Sequence, residues 1–267
     1  MPASADRPGS FDASRPHVAR VYDYLLGGKD NFAADRALGD KIITSLPAVQ
    51  LGVRAQRDVL GRVVRYLVGE VGLTQLLDIG SGLPTADNVH EIAQRIDPTT
   101  RVVYLDNDPI VLSHARALVA DEKATFVAAG DLRDPAGILA NPDVREQLDW
   151  GQPIGLLLSG ILHYILDEEE PAEIVATLCG ALPHGSYVFI HHLLDTDDPA
   201  AAVLQAQMRG GLGRAQFRTL DQVRDLFYGL ELVEPGLVLV PDWRPEPPTV
   251  QDHPVLEMAC VGLARKP

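Results

Sequence analysis

The fold is decided by the stretch Leu76-Leu-Asp-Ile-Gly-Ser-Gly-Leu-Pro-Thr85. Its apolar start predicts a buried strand over residues 76–79, and its two glycines predict a tight turn, because glycine adopts backbone conformations that other residues avoid. The apolar spacing that follows predicts a helix over residues 85–96, capped by Thr85 or Asp87. A buried strand that turns through glycines into a helix is typical of an α/β sheet that binds a ligand at its strand ends.

The same alternation of strands and helices continues along the chain. Short apolar runs predict further strands at 101–106, 125–129, 154–158 and 187–190. Helical spacing predicts helices at 109–120, 168–182, 199–209 and 220–226. Two last strands, at 230–240 and 256–264, are predicted to form an antiparallel hairpin at the sheet edge. Apolar strands separated by helices indicate a sheet covered on both faces. The predicted fold class is therefore α/β, with a doubly wound, mostly parallel seven-stranded sheet.

Composition divides the chain into three parts. Residues 1–14 contain two prolines, one glycine and several serines and aspartates, and they are predicted to form a flexible tail. Residues 15–70 are predicted to form an N-terminal helical cap, whose first helix ends at Gly27 because glycine favours the left-handed C-terminal cap. Residues 71–267 are predicted to form the ligand-binding domain, as one compact unit with the cap.

The composition also excludes several classes of function. The 267 residues carry a net charge of −14, which argues against nucleic acids and anionic membrane surfaces as partners, because both attract basic proteins. No run reaches the ~20 apolar residues of a membrane span, and the first residues lack an apolar secretion signal. Cys179 and Cys260 have no metal-ligand spacing, so no metal site is predicted. Two unpaired cysteines are typical of a cytoplasmic protein.

The residues around the first turn indicate which ligand binds there. A dinucleotide fingerprint would continue with a third glycine, where this chain has Thr85. Asp78 stands two places before the first glycine of the turn and would repel a pyrophosphate. The same carboxylate would attract an ammonium group, which S-adenosylmethionine carries together with a sulfonium cation. The turn therefore favours S-adenosylmethionine over a dinucleotide.

Two more acidic residues close neighbouring strands. Asp106 ends the second strand, where a carboxylate can accept hydrogen bonds from both ribose hydroxyls of an adenosine. Asp131 follows the third strand, where it can accept from the adenine amino group while Leu132 packs on the ring. Each carboxylate is also a candidate helix N-cap. Three acidic residues at three successive strand ends favour the binding site.

These motifs resemble those of class I S-adenosylmethionine-dependent methyltransferases. More specifically, Arg20-Val-Tyr-Asp-Tyr-Leu-Leu-Gly-Gly-Lys-Asp-Asn-Phe32, together with residues 78–85 and 104–109, resembles the bacterial S-adenosyl methyltransferase family, formerly a domain of unknown function. The resemblance runs from about Arg15 to the last strand. One departure from the broader superfamily is Pro84, at a position where a third glycine often stands. Proline has no backbone N–H, so the loop loses one hydrogen-bond donor.

The resemblance implies a set of cofactor-binding residues. Helices before the first strand fold over the cofactor as a lid in related methyltransferases, and Arg57 is a candidate partner for its carboxylate. Packing against the sheet is the alternative for the tyrosines of this segment, and a solvated helix face is the alternative for Arg57. The cofactor-binding candidates are Tyr22, Tyr24, Gly27, Asn31, Arg57, Asp78, Gly80, Gly82, Asp106, Asn107, Asp131, Leu132 and Ser159.

Histidines follow two of the predicted strands. Ser159 and His163 follow the fourth strand, where they are expected to border the methyl group, and His163 is the candidate general base. A histidine that only shapes the pocket is the alternative. His191 and His192 end the fifth strand, and neighbouring strand residues point to opposite faces, so one is expected to line the pocket and the other to pack beneath the helices.

The sequence therefore predicts an S-adenosylmethionine-dependent methyltransferase that acts on a small or medium-sized acceptor. Two alternatives remain: a binding protein for S-adenosylmethionine or S-adenosylhomocysteine that does not catalyse transfer, and a nicotinamide-dependent oxidoreductase, against which Asp78 and Thr85 argue. The acceptor, the acceptor atom and the oligomeric state stay open, and a homodimer is compatible with the sequence.

Overall fold

A computed structural model describes residues 12–85, 87–247 and 253–267 of the chain. Most of the predicted tail, residues 1–11, lies outside the described residues. The α-helices are α1 Val18–Leu26, α2 Ala33–Ser45, α3 Val49–Arg65, α4 Val89–Ile96, α5 Pro109–Leu118, α6 Pro135–Ala140, α7 Pro142–Arg145, α8 Pro171–Ala181, α9 Pro199–Leu212 and α10 Leu220–Asp225. The strands are β1 Gln75–Ile79, β2 Arg101–Asp106, β3 Thr125–Ala129, β4 Gly155–Ser159, β5 Tyr187–Leu193, β6 Glu231–Leu232, β7 Val238–Leu239 and β8 Ala259–Arg265.

The eight strands form one sheet in the order β3-β2-β1-β4-β5-β8-β6, and β7 also pairs with β8. Strands β1 to β5 are parallel, and β8 is antiparallel to its neighbours. Every residue of β1 is buried, as expected for a central strand that helices cover on both faces. The predicted α/β class, with a mostly parallel sheet and antiparallel C-terminal strands, is confirmed.

Two apolar clusters hold the helices on the sheet. Helices α3 and α4 pack on one face, where Val63 and Ile92 contact apolar residues of the central strands. Helices α6, α8 and α10 pack on the other face, with Ile138, Leu178 and Val223 in the second cluster. Burial of these side chains is the main stabilising contribution, at about 25 cal/mol per Å² of apolar surface.

A third apolar cluster lies above the strand ends and forms a helical layer. It joins α1 and α2 to α9 and to a 3₁₀ segment, Pro254–Met258, that is distant in sequence. Ile42 of α2 and Leu204 of α9 are both buried in this cluster. The predicted boundaries of the cap, 15–70, stay a prediction, and the structure adds two C-terminal segments to the layer.

The C-terminal strands form the predicted antiparallel hairpin at the sheet edge, with one difference. The strand predicted at 230–240 is divided into β6 and β7, with Pro235 and Gly236 between them. Both pieces pair antiparallel with β8, which is the inner strand of the hairpin, next to β5. Burial accounts for this inner position, because six of the seven β8 residues are buried and apolar or glycine, whereas both residues of β6 are exposed.

One helix also begins later than predicted. Helix α4 starts at Val89, where the Glu91 carboxylate accepts from the Asn88 backbone N–H at 2.7 Å and the Asn88 side chain bonds to the backbone of Thr85. Thr85 and Asp87 therefore belong to the loop before the helix and do not cap it. Among the described residues, none of the helices is long and apolar enough to cross a membrane.

Candidate functional site

A cavity of about 420 Å³ opens where the parallel strands end. Residues at or just after the carboxyl ends of β1, β2, β3, β4 and β5 line one side, and helices α1, α2, α3 and α9 line the other. Strand β1 lies between β2 and β4, so the chain reverses its direction of growth at this point of the sheet. Ligands of doubly wound folds bind at such a crevice.

The glycine turn after β1 forms the floor of this cavity. Gly80 and Gly82 have φ values of 73° and 68°, in the left-handed region that side chains rarely adopt. A Cβ atom on Gly80 would lie 2.8 Å from Ile161, whereas a Cβ atom on Gly82 would meet nothing within 4 Å. The Gly82 N–H donates to Asp106 Oδ2 at 3.0 Å, which holds the turn against the end of β2. The backbone therefore lies open to a ligand here.

Asp78 is a buried carboxylate that accepts no hydrogen bond from the residues the structure describes. It is 4% exposed and lines the cavity. Burial is the main cause that raises its pKa to about 7; the guanidinium of Arg57 opposes this shift, and the charge of Asp106 adds to it. Because a buried carboxylate without a partner is costly in its ionised form, the site favours a cationic ligand group such as an ammonium.

Asp106 is buried at the end of β2 and has both carboxylate oxygens in use. Oδ1 accepts from the Asp108 N–H at 3.0 Å, and Oδ2 accepts from the Gly82 N–H. Burial raises the pKa of Asp106, although these N–H groups oppose the shift. A carboxylate has about four acceptor positions, so two remain for ribose hydroxyls. Asp108, and not Asp106, caps α5.

Asp131 lies at the end of β3 and is bound by a cation of its own chain. Arg133 contacts it through Nε and Nη2, and the Asn107 side chain donates to Oδ2 at 3.2 Å. Burial acts to raise the pKa of Asp131, but hydrogen bonds from Arg133 and Asn107 outweigh burial and lower it to about 2. Leu132 is buried beside it in the cavity wall. Asp131 is not the N-cap of α6, which is Asp134.

Helix α3 contributes polar groups to the opposite wall. Arg57 donates to the carbonyl oxygen of Asp87 at 3.0 Å and lines the cavity near Asp78. Gln56 donates to the carbonyl of Ser159 at 3.4 Å, and so connects this helix to the end of β4. Gln56 was not among the sequence candidates, because a polar residue on a helix face carries no sign of a partner 103 positions away.

The segment before β1 that contains α1 and α2 has some residues that line the cavity and others that do not. Tyr22 lines it, with its hydroxyl donating to the Val53 carbonyl at 3.2 Å. Tyr24 lies outside, because its hydroxyl bonds Asp40 at 2.6 Å and its ring packs on α2. Gly27 is the left-handed cap of α1, and Asn31 bonds Asp23 at 2.8 Å. Tyr24, Gly27 and Asn31 therefore make contacts within this segment and do not line the cavity.

His17 precedes α1 and was missed by the sequence analysis. Its Nδ1 lies 2.9 Å from Asp108 Oδ2, and its backbone N–H donates to Asp35 at 2.8 Å. Burial acts to raise the pKa of Asp108, but His17 and N–H donors outweigh burial and lower it. His17 thus connects the start of α1 to the loop that follows β2. The sequence Arg15-Pro-His17 shows a histidine at this place, but nothing around it indicates its partner.

Three histidines lie near the carboxyl ends of β4 and β5. His163 is buried against the rings of Tyr164 and Phe217, and its Nδ1 has no hydrogen-bond partner among the described residues. Burial lowers the pKa of His163 well below its ordinary value. It lines the cavity as a neutral imidazole, and its low pKa makes it a weak proton acceptor.

The neighbouring pair of histidines points to opposite faces of β5. His191 lines the cavity with an unpartnered Nδ1, and burial lowers its pKa to about 4. His192 lies on the other face, 3.0 Å from the guanidinium of Arg218, and burial lowers its pKa to about 3. The expected division between pocket and core is therefore present. No group of three or more histidine, cysteine or carboxylate side chains that would hold a metal occurs in the described parts of the chain.

The structure brings most of the predicted site residues together. The predicted residues that line this cavity are Tyr22, Arg57, Asp78, Gly80, Gly82, Asp106, Asn107, Asp131, Leu132, Ser159 and His163. The unpartnered Asp78 carboxylate and the two glycines of the turn fit a cationic, adenosine-containing cofactor.

Comparison with known proteins gives the family. The family described as S-adenosyl methyltransferase matches residues 4–267. A proposed methyltransferase from Thermobifida fusca YX shares 45% identity and a TM-score of 0.92, over 95% of this chain and 96% of that chain. A DUF574 family protein from Streptomyces avermitilis shares 40% identity and a TM-score of 0.91, over 96% and 99% of the two chains. Among curated proteins, none matches this chain at a significant level.

A more distant structure shows the same fold with the product of methyl transfer bound. The N-methyltransferase NodS from Bradyrhizobium japonicum WM9, crystallised with S-adenosylhomocysteine, has 14% identity and a TM-score of 0.51 over 93% of this chain and 99% of that chain. The expected fold, cofactor and type of enzyme are confirmed by the family and its relatives. This chain belongs to the S-adenosyl methyltransferase family and is an S-adenosylmethionine-dependent methyltransferase.

Proposed function

We propose that the cavity at the strand ends holds S-adenosylmethionine and a small or medium-sized acceptor together. The observation that carries this proposal is the meeting of three acidic side chains, Asp78, Asp106 and Asp131, at one rim of one cavity. Two of them have defined partners in the chain, whereas Asp78 has none among the described residues. A cofactor with an ammonium group supplies the partner that Asp78 lacks.

In this proposal, the residues that line the rim bind different groups of the cofactor. Asp78 holds the ammonium, and Asp106 accepts from the ribose hydroxyls through its remaining lone pairs. Leu132 packs on the adenine, and Asp131 is held in place by Arg133. Arg57 pairs with the carboxylate. When bound, S-adenosylmethionine supplies the methyl group: the acceptor's nucleophilic atom bonds to the methyl carbon, the carbon–sulfur bond breaks, and S-adenosylhomocysteine and one proton leave.

The protein's contribution to the reaction is alignment and exclusion of water. Helices α1 and α9 close the cavity above the strand ends, so a bound acceptor and cofactor are held in contact away from solvent. Ser159 borders the reacting region in this proposal. His163 takes the acceptor's proton or only shapes the wall, and its lowered pKa favours the second role.

Two further expectations from the sequence belong to this proposal. The acceptor is a small molecule and not a nucleic acid, which the net charge of −14 supports. The protein is cytoplasmic, which the two buried, unpaired cysteines support. Analytical ultracentrifugation decides between a monomer and a homodimer.

Calorimetric titration of S-adenosylmethionine and S-adenosylhomocysteine tests the proposed site. We expect micromolar binding of both to the wild type, and a loss of about 100-fold in Asp106→Ala, because hydrogen bonds to a charged group contribute roughly 1.5–3 kcal/mol each. Asp97→Ala, which removes an exposed carboxylate after α4, is the matched control. Asp106→Asn keeps an acceptor for the Gly82 N–H and separates lost binding from lost folding. Binding to Asp106→Ala with wild-type affinity would place the cofactor elsewhere.

A further inference from the structure

The half of the cavity that faces away from the acidic rim has apolar walls. Helices α2, α3 and α9 and the segment Pro254–Met258 supply side chains from distant parts of the chain. Six of them are Ile42, Leu46, Val49, Leu204, Met208 and Val255. Five of them belong to the apolar cluster of the helical layer, and Leu46 packs against that cluster.

This half of the cavity offers no uncommitted charge. Of the described residues that line it, Arg214 is the charged one, and it donates to the Tyr164 carbonyl at 3.1 Å and to Glu169 at 3.2 Å. Of the other charged lining residues, Asp106 and Arg133 lie at the strand ends, and Arg57 of α3 lies close enough to Asp78 to oppose the rise in that carboxyl's pKa, on the cofactor side. A charged acceptor body would therefore lose its hydration without gaining a partner, which is strongly unfavourable.

Two polar groups among these apolar walls lack partners. The Tyr164 side chain lines the cavity, and its hydroxyl has no hydrogen-bond partner among the described residues. His191 is 2% exposed and also lines the cavity, with an Nδ1 that bonds no other described residue. Burial raises the pKa of Tyr164 and lowers that of His191 to about 4, so both groups are neutral near pH 7. They suit one or two neutral polar groups on a ligand.

We propose that this half of the cavity, whose walls include Leu204, Met208 and Val255, binds an uncharged acceptor with an apolar, ring-sized body and a hydroxyl or aromatic amino group. The polar group of the acceptor faces Tyr164 and His191, and its body packs on the apolar walls. This inference rests on the proposed function, because it takes the acidic rim as the cofactor's half of the same cavity.

The chain provides a matched pair of variants for the test. Gly52 of α3 lines the cavity, and a Cβ atom there would lie 3.6 Å from Val255, which is an ordinary contact. Gly52→Leu therefore fills the apolar half. Gly210 of α9 is exposed, and a Cβ atom there would meet nothing within 4 Å. Both substitutions replace a helical glycine by a good helix former, so neither is expected to impair folding.

The test is calorimetric titration of three probes into protein saturated with S-adenosylhomocysteine. The probes are 2-naphthol, its anionic analogue 3-hydroxy-2-naphthoate, and myo-inositol as a polar uncharged ring. We expect 2-naphthol to bind at least tenfold more tightly than either of the others. Gly52→Leu should weaken 2-naphthol binding tenfold or more, and Gly210→Leu should leave it unchanged.

The outcomes separate the two proposals. Failure of the wild type to bind S-adenosylhomocysteine would overturn the proposed function itself. Normal binding of S-adenosylhomocysteine, with 2-naphthol bound no better than the anion or inositol, would overturn only the acceptor class. An unchanged affinity of Gly52→Leu for 2-naphthol would place that probe outside the apolar half, and this result would also overturn the inference.

Discussion

The two halves of the cavity are built in different ways. The cofactor half consists of the ends of β1, β2 and β3 and the turns that follow them, so its acidic side chains and glycines lie next to recognisable apolar strands. The acceptor half consists of helices α1, α2, α3 and α9, the 3₁₀ segment Pro254–Met258 and the end of β5 with His191, which come together only in the folded chain. The first half carries charge, and the second keeps its polar groups neutral.

This difference teaches which part of a site a sequence can specify. A carboxylate at the end of a buried strand has its position fixed by two or three neighbouring residues, whatever the rest of the chain does. An apolar helix residue such as Leu204 faces a core in any fold, so its presence beside a ligand depends on which helices meet. The following changes test this contrast between a charged half and a neutral one.

The acceptor half should make the folded protein less stable in acid, because it contains His191. The folded pKa of His191, about 4, lies below its ordinary value of 6.5, so the folded state binds fewer protons than the unfolded state between these values. Stability is therefore complete above pH 6.5 and is lost as the pH falls towards 4, by up to about 3 kcal/mol at 1.36 kcal/mol per pKa unit. We expect His191→Asn to lose less in Tm than the wild type between pH 7 and pH 4. His114→Asn, at an exposed histidine, should behave as the wild type does.

The cofactor half should control how cofactor affinity depends on pH. The pKa of Asp78 is about 7 in the folded chain, and a cationic cofactor group favours the ionised form. Affinity for S-adenosylmethionine should rise about tenfold from pH 6 to pH 8, as the ionised fraction grows from about 0.1 to 0.9. Asp78→Asn should bind weakly, with this rise abolished.

The same residue makes a prediction about stability without cofactor. A raised carboxyl pKa stabilises the folded state at low pH, and this contribution is lost as the pH rises through 7. Asp78→Asn should therefore have a higher Tm than the wild type at pH 8, by a larger margin than at pH 5. If the cofactor affinity of the wild type and its Tm difference from Asp78→Asn both stay constant across this pH range, Asp78 is ionised throughout.

The glycine turn permits a comparison of two left-handed positions. Gly82 in the cavity has a φ of 68°, and Gly72, before β1, has a φ of 80°, with no atom within 4 Å of a Cβ at either. Alanine at either position should reduce stability by about 1–2 kcal/mol, because of the cost of the left-handed backbone. Only Gly82→Ala should also lower the affinity for S-adenosylhomocysteine, several-fold by calorimetry. Equal losses of affinity would show that backbone strain, and not the cavity, controls binding.

Tyr24 should show the smallest effect. Its hydroxyl bonds Asp40 on the lid, away from the cavity. Tyr24→Phe should leave cofactor affinity within twofold of the wild type, whereas Tyr22→Phe, at the cavity, serves as the comparison. A large loss of affinity in Tyr24→Phe alone would return Tyr24 to the cofactor site.

The sequence was sufficient for the sheet and for the acidic rim, because burial on both faces makes strands such as β1 apolar throughout. It was insufficient for the lid, where Tyr22 and Tyr24 have similar local surroundings but different helix faces. It was also insufficient for β8, since an apolar strand does not reveal between which neighbours it lies. The stripe formed by Leu204, Met208 and Leu212 was a visible sign of a buried helix face, although nothing in it indicated a cavity.

The strand order also has a consequence for the rate of folding. Leu76 of β1 pairs with Gly155 of β4, 79 positions later in the chain, and Leu193 of β5 pairs with Ala259 of β8. The centre of the sheet therefore forms by closing long loops, and chains with high contact order fold slowly. In a chain of 267 residues, we expect refolding to pass through a collapsed intermediate in which the unpaired edges of β1 and β5 are exposed to aggregation.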